Sequence, residues 1–544
     1  MGSERPPRRG SPGFLGSSAV TASAISLVPN SSTTALLSSN SPSSGTLLAR
    51  SARTLQQQLG AKGRTARWDE RIPPLLRPAV RAYLVGYASA VGPRLLALLL
   101  QHLTGARRKK HDAQTQGEKQ QAQQNFSDEK FLVALGRTLK GGCDPQRFPT
   151  FCAVLAGGST LFEVPLKSIL DTLTKNPSEL TRKRLSRFIA TFVASYLGLR
   201  LLQSKQPPVS SSQVASNDAA PSRKPTPQAG RTLDLTFFAV TRALDVLGGE
   251  TWDHTKHLFP SKLQSLVSSL TDPSIFAVSS ALVMWSWFYH PSRLPKTYNK
   301  WISSAAQVDD RLIQALKRCH FGELIYSVDT GQASLLTPLC QKLNLPPQWG
   351  DPALIFPFPC ELVHLGCGPS CEYHALSRFA RSFLWAMKTY LPLSLLLAIR
   401  NPNLKGLRRA ILSAGRSSTF LGMFITLFYY GVCLSRTRIG PRILGRDAEA
   451  CNKIDGGICV GTGCFLCGWS ILIEKAGRRK DMGLFVAPRA LATLFPRQYD
   501  ADKQWRERLA FALSTAVVFT CVLENKSRVR GVLGSVLSRV LGPA

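Results

Sequence analysis

The sequence predicts an all-α fold: a polytopic membrane helical bundle of two homologous halves behind a disordered N-terminal tail. Three observations predict it. The first is a duplication. DLTFFAVTRALDVL from Asp234 and DMGLFVAPRALATL from Asp481 match at Asp234/Asp481, Phe238/Phe485, Arg242/Arg489, Ala243/Ala490, Leu244/Leu491 and Leu247/Leu494. The neighbours repeat in the same order: IFAVSSALV from Ile275 echoes AFALSTAVV from Ala510, and RAYLVGYASAVGPRLLALL from Arg81 echoes RSFLWAMKTYLPLSLLLAI from Arg381. The offset shrinks from 300 residues at Arg81/Arg381 to 235 at Ile275/Ala510, as unequal loops between helices in constant order would make it. The second observation is a series of apolar runs with basic flanks, and the third is the formal net charge of the chain.

That formal net charge is +35, which leaves nucleic acid, an anionic membrane surface or organelle import as explanations. The basic residues sit in short clusters, at 107–110, 182–184, 408–409 and 478–480, each beside a hydrophobic stretch. They line no single helix and flank no aromatic platform, so nucleic acid is not the expected partner and the lipid bilayer is. The 13 cysteines are an odd number without small-domain spacing, and Cys433, Cys459, Cys464, Cys467 and Cys521 lie within apolar runs, where Cys acts as a small hydrophobe. With no secretory signal visible, a disulfide framework is not expected.

Residues 1–66 hold Ser, Thr, Arg, Pro and Gly with Glu4 as the lone acid, and disorder is expected for want of a buriable face. The same acid-poor, Ser/Arg-rich character resembles a mitochondrial transit peptide. The first repeat, 67–290, predicts helices at 83–100, 148–166, 188–202, 233–247 and 275–289. A charged, Gln-rich insertion at 104–128 and a disordered loop at 203–230 interrupt it. Residues 291–359 read as a polar linker with an amphipathic helix around 309–318. The stretch 360–544 joins a Cys-rich cap to the second repeat, with helices at 383–399, 419–434, 456–473, 483–495 and 509–523. The run at 456–473 makes about 27 Å of helix, marginal for a hydrocarbon core of about 30 Å. Ala190, Ala194 and Gly198, and again Gly457 and Gly461, form four-residue small stripes that let helix backbones approach closely in lipid. Eight to ten spans are expected, depending on whether the Arg-bearing segments cross or lie flat.

The densest chemical constellation is Cys360, His364, Cys367 and Cys371, within 12 residues. Three thiols and an imidazole can hold zinc tetrahedrally, and Gly366, Gly368 and Pro369 would let the loop fold tightly. The spacing is not a standard zinc pattern, so a structural or redox-sensitive cap is the competing reading. Cys464 and Cys467 have the spacing of a redox pair but sit mid-span between glycines, which favours packing. Arg242 and Arg489 occupy one repeat position inside apolar segments, with Asp234 and Asp481 a little over two helical turns earlier. Charge at membrane depth is costly unless paired or facing water. The four residues therefore read either as a polar site for a lipid phosphate or carboxylate, or as interfacial side chains snorkelling to headgroups. Arg94, Glu163 and Lys388 are weaker cases.

The run from Cys360 to Cys371 directly before an apolar helix resembles the cysteine-rich opening of the transmembrane protein 135 family. FLGMFITLFYYGVCL from Phe420 and the following GGICVGTGCFLCGWSILIEKAGRRKDMGLFVAPRALATLF are similar to that family's paired glycine-rich spans and basic hairpin. The likeness extends to peroxisomal membrane protein 4 and, more distantly, to the small four-helix translocase subunits of the mitochondrial inner membrane. It covers residues 360–495, and reaches the first repeat through the duplication. Within the motif the acid and the His are displaced, Cys367 is an addition, and the basic N-terminal extension has no counterpart. The resemblance implies a multi-pass protein of peroxisomes or mitochondria linked to lipid and energy homeostasis, and implies no catalytic residues. No Walker loop, nucleotide fingerprint, HExxH or nucleophile elbow occurs, so no enzyme and, zinc aside, no cofactor is expected. Three roles stay open at this point: transport or handling of an anionic lipid or metabolite, a non-transporting scaffold, and a translocase-like import component. Oligomeric state is not legible.

Overall fold

A computed structural model describes residues 69, 71–112, 120–173, 178–204, 228–399, 403–525 and 528–542. The tail at 1–66 and all but the ends of the loop at 203–230 lie outside them. The described chain is helical, with one two-residue antiparallel pairing of Gln228–Ala229 against Tyr499–Asp500. It forms two compact units, one within Leu27–Lys205 together with Leu537–Ala544, the other within Gln206–Val536.

The first unit holds α1 (Arg77–Asp112), α2 (Gln120–Gly142), α3 (Phe148–Leu173) and α4 (Glu179–Gln203). The insertion expected at 104–128 is largely helical, since α1 continues to Asp112 and α2 begins at Gln120. Helix α4 starts where Ser178 Oγ accepts the amide of Thr181, satisfying one of the four orphan donors of a helix start. The first small-residue stripe works as expected. Ala190 and Ala194 are buried, and a Cβ on Gly158 of α3 would lie 2.9 Å from that of Ala194. Helix α3 lies against both α1 and α4. Leu84, Val85, Leu96 and Leu99 of α1, and Leu161, Val164 and Ile169 of α3, are exposed.

The second unit begins with α5 (Leu233–Thr255) and α6 (Ser261–Tyr289). Residues 291–359, expected as a polar linker, carry α7 (Lys296–Ala306), α8 (Asp310–His320) and α9 (Ala333–Lys342). Apolar side chains spaced at helical intervals give this segment its own core of Leu312, Ala315, Leu324, Leu336, Leu339 and Phe358, joined by Cys451. Asp309 caps α8 by accepting the amide of Arg311. Next come α10 (Cys371–Ala398), α11 (Leu404–Leu434), α12 (Cys459–Cys467), α13 (Ala476–Thr493), α14 (Gln504–Glu524) and the start of α15 (Gly531–Leu541), which from Leu537 onward is grouped with the first unit. Helices α11 and α12 form a hairpin. Each continues toward the tip through a wide π turn, Ser435–Ile439 after α11 and Ile454–Ile458 before α12, with Asp447 capping the return at Ala450.

The main core joins α6, α11 and α12 through Phe276, Trp287, Phe288, Ile425, Phe428, Val432, Val460, Cys464 and Ile471. Around it the repeats exchange partners. Helix α5 corresponds to α13 in the duplication, and α6 to α14. Helix α5 packs on α14 and α13, while α6 packs on α13 and α12. Each copy thus completes the other.

Among the described residues, six helices are long and apolar enough to cross a membrane: Arg77–Leu99, Phe148–Leu173, Glu179–Gln203, Ser261–Tyr289, Leu404–Ile443 and Ala448–Ile473. That is fewer than the eight to ten expected, and the reason is charge. Helix α10 carries Arg378, Arg381 and Lys388, and α13 opens on Arg478, Arg479, Lys480 and Asp481. By these helices the chain is a multi-pass membrane protein.

Candidate functional site

The Cys-rich motif folds back on itself before α10. Cys360–Val363 is a single helical turn, after which Leu365, Gly366 and Gly368 take φ of 54°, 83° and 88° and reverse the chain. Glycine reaches that region without steric cost, so two of the three reversing positions are unstrained. Ser370 Oγ then accepts the amide of Tyr373 and starts α10 at Cys371. Cys360, His364 and Cys371 come together at the reversal, and Cys433 from the last turn of α11 joins them. The four ligand atoms all lie within 4.8 Å of one another. His364 is fully buried and Cys433 is 1% exposed. The His364 Nδ1 sits 2.7 Å from the carbonyl of Gly368, and its Nε2 3.5 Å from Cys433 Sγ.

Cys367, expected in this set, is outside it. Its sulfur accepts from Arg381 Nη2 at 3.2 Å and lies 3.9 Å from Ser377 Oγ. His374 stacks on His364 with ring centres 4.4 Å apart, and burial pushes its pKa down to about 3. Cys360 is pulled down to about 6, chiefly by a hydrogen bond from Cys433, with Arg436 and His364 adding to that against the effect of burial.

Below the motif, a buried ion pair joins the two π turns of the hairpin. Arg436 Nε and Nη2 donate to the two carboxylate oxygens of Asp455 at 2.7 and 2.9 Å, and Nη2 also donates to the Phe358 carbonyl at 2.9 Å. Tyr326 from the short-helix segment donates its hydroxyl to Asp455 at 2.5 Å. Bidentate geometry with extra hydrogen bonds is what a guanidinium–carboxylate pair needs to persist away from water. Sequence reading missed it because hydropathy ended one run at Leu434 and began the next at Gly456, just short of both charges. The signal was an Arg and an Asp that are the first charges beyond the ends of two charge-free runs.

Arg242 and Arg489 each make their own set of contacts. Arg242, 8% exposed, donates to the Arg530 carbonyl at 3.2 Å and stacks on Phe238. Asp245 and Asp481 act on it electrostatically, and Asp481 and Arg242 both approach Gly531. Arg489 is held over the Phe485 ring at 3.9 Å and the Tyr298 ring at 5.4 Å, and donates to the Phe485 carbonyl. Asp234 acts on Arg489 and pairs with Arg497 at 3.0 Å. Each arginine of the repeat therefore feels the aspartate of the other copy. Among the weaker cases, Glu163 of α3 accepts from Arg187 of α4 at 2.8 Å. Cys464 and Cys467 are core residues, as their place mid-span implies, and the Cys467 thiol donates to the Cys464 carbonyl.

Two further polar contacts were not legible in the sequence. Arg378, buried in α10, stacks on Tyr429 at 4.2 Å, and both donate to the carbonyl of Ala306 at the end of α7. A cation and a hydroxyl on the last carbonyls of a helix satisfy acceptors that have no partner within it. Glu507 of α14 accepts from Thr232 and Thr236 at the start of α5, at 2.5 and 3.1 Å. No family model, curated protein or solved structure matches this chain.

Proposed function

We propose that this protein is a multi-pass component of a peroxisomal or mitochondrial membrane, serving lipid and energy homeostasis as a membrane-embedded scaffold. The observation that carries the scaffold role is the engagement of Arg242 and Arg489. Had they lined a conduit they would face an open polar site. Instead their guanidinium groups meet aromatic faces, backbone carbonyls and the fields of the opposite repeat's aspartates, with Arg242 Nε left without a hydrogen-bond partner among the described residues. Such groups fasten two copies together. The organelle and the homeostatic role rest on the resemblance of residues 360–495 to the transmembrane protein 135 family.

Contact with anionic lipid fits the same reading. At the start of α11, Lys405, Arg408, Arg409 and Arg416 are exposed among exposed Leu404, Leu407, Ile411 and Leu412. Long basic side chains interleaved with apolar ones suit a headgroup boundary, where the stems lie in acyl chains and the charges reach phosphate.

The test is localisation of the full-length chain and of a version lacking residues 1–66, with carbonate extraction of the isolated organelles. Peroxisomal or mitochondrial signal resistant to carbonate is the expected outcome, and relocation on deletion would make the tail an address. Release by carbonate, or residence in another membrane, would refute the proposal. The scaffold role is tested by Arg242→Gln and Arg489→Gln, which should lower the melting temperature in detergent. Variants that melt like the parent but lose uptake of an anionic metabolite into vesicles would favour a transporter.

A further inference from the structure

The geometry points to a structural zinc site formed by Cys360, His364, Cys371 and Cys433. A zinc ion with sulfur ligands at about 2.3 Å sets neighbouring ligand atoms about 3.8 Å apart in a tetrahedron. The four ligand atoms here already lie within 4.8 Å of one another, the scale of a single ion. A two-iron cluster would divide the same donors between two metals and spread them further. Three sulfurs and one nitrogen in tetrahedral reach select zinc over calcium, magnesium or manganese, which prefer oxygen.

A second observation is independent of that clustering. His364 presents Nε2 to the site because its Nδ1–H donates to the Gly368 carbonyl at 2.7 Å. This outer hydrogen bond fixes tautomer and ring orientation, and it is what a metal-bound imidazole ordinarily makes. Beside the site, Arg436 acts electrostatically on Cys360 and keeps a buried Nη1 with no hydrogen-bond partner among the described residues. Zinc displaces three thiol protons, so the loaded site carries one net negative charge, and the nearby guanidinium, although it also pairs with Asp455, offsets part of it.

The site is closed, with four protein ligands and no position left for water or substrate, which makes it structural. Its ligands come from two places: the reversal at 360–371 and the end of α11. The ion therefore staples the Cys-rich loop to the hairpin. That loop follows directly on Phe358 and contains Leu362, both core residues of the short-helix segment. Zinc holds that segment onto the membrane helices.

The experiment is metal analysis of the full-length chain, purified in detergent without chelator under reducing conditions, with Cys433→Ser and Cys367→Ser alongside. About one zinc per chain is expected for the parent and for Cys367→Ser, and about a tenfold loss for Cys433→Ser. Because a folding defect in Cys433→Ser would lower its zinc content too, the parent is also exchanged with Co²⁺, whose visible bands report tetrahedral thiolate coordination. Three results would overturn the assignment. One is a folded parent without zinc and without cobalt bands. Another is equal zinc loss in Cys367→Ser. The last is recovery of a disulfide between any two of Cys360, Cys371 and Cys433 in peptides mapped without reduction.

Discussion

Arg436 and Asp455 are 4% and 0% exposed, and each offsets most of the other's charge there. Removing one leaves an uncompensated charge, which costs about 3–5 kcal/mol, whereas replacing both with apolar residues of similar size is often neutral. Arg436→Met and Asp455→Leu singly should therefore destabilise the protein strongly, and the double variant should recover most of the loss in thermal unfolding in detergent. Strictly additive losses would show that the pair is not what holds the hairpin tip. Tyr326→Phe removes a single hydrogen bond to that carboxylate and should cost about 1–3 kcal/mol. Legibility at this scale followed distance along the chain. Cys360, His364 and Cys371 could be read as one constellation because a short loop joins them. Cys433 could not, since in an apolar run a cysteine looks like any small hydrophobe, and Cys367 was included only by proximity.

Helices α11 and α12 meet at glycines, and the structure separates those that matter from those that merely recur. A Cβ on Gly463 would lie 2.7 Å from the Phe428 carbonyl oxygen, and one on Gly431 would lie 2.9 Å from the Gly463 Cα. Backbone cannot yield as a side chain can. Gly463→Ala should force the hairpin apart and cost about 1–3 kcal/mol. Gly461, which the four-residue stripe singled out with Gly457, meets only the rim of Trp285 at 3.6 Å. Gly461→Ala should be neutral or slightly stabilising, since alanine favours helix by about 1 kcal/mol. Melting temperatures of the two variants decide this, and equal effects would count against the packing argument. The stripe at Ala190, Ala194 and Gly198 was legible because its whole length is a contact. In α12 the contact runs through Gly463, two residues on from Gly461 and about 200° round the helix axis, a rotation that spacing alone does not fix. The segment 291–359 read as a linker for a related reason: its helices are short and amphipathic, and their apolar faces emerge only once α8 and α9 are seen to share a core.

The order of the helical segments was legible, and the membrane class with it. The exchange between copies was not, because a repeat in sequence does not say whether each copy closes on itself. Helix α5 lies on α14 and α13, α6 lies on α13, and Glu507 of α14 receives hydroxyls from Thr232 and Thr236 beside α5. The second compact unit therefore needs both repeats. Fragments 1–290 and 291–544 expressed together should be recovered as one complex through membrane solubilisation. Expressed alone, each should be degraded or aggregated. Stable recovery of fragment 1–290 alone, with α5 and α6 protected from protease, would contradict the exchange.

That exchange also sets a waiting time. Helix α6 ends at Tyr289 and its partner α13 begins at Ala476, so roughly 190 residues separate them. At roughly 5–20 residues per second, α5 and α6 leave the ribosome roughly 10–40 s before α13 is made. Throughout that interval, Phe237 of α5 lacks the Phe495 ring on which it stacks in the finished protein. Biogenesis of this protein thus has a vulnerable middle. Slowing translation beyond codon 290 should divert nascent chains to quality control, while slowing it earlier should not.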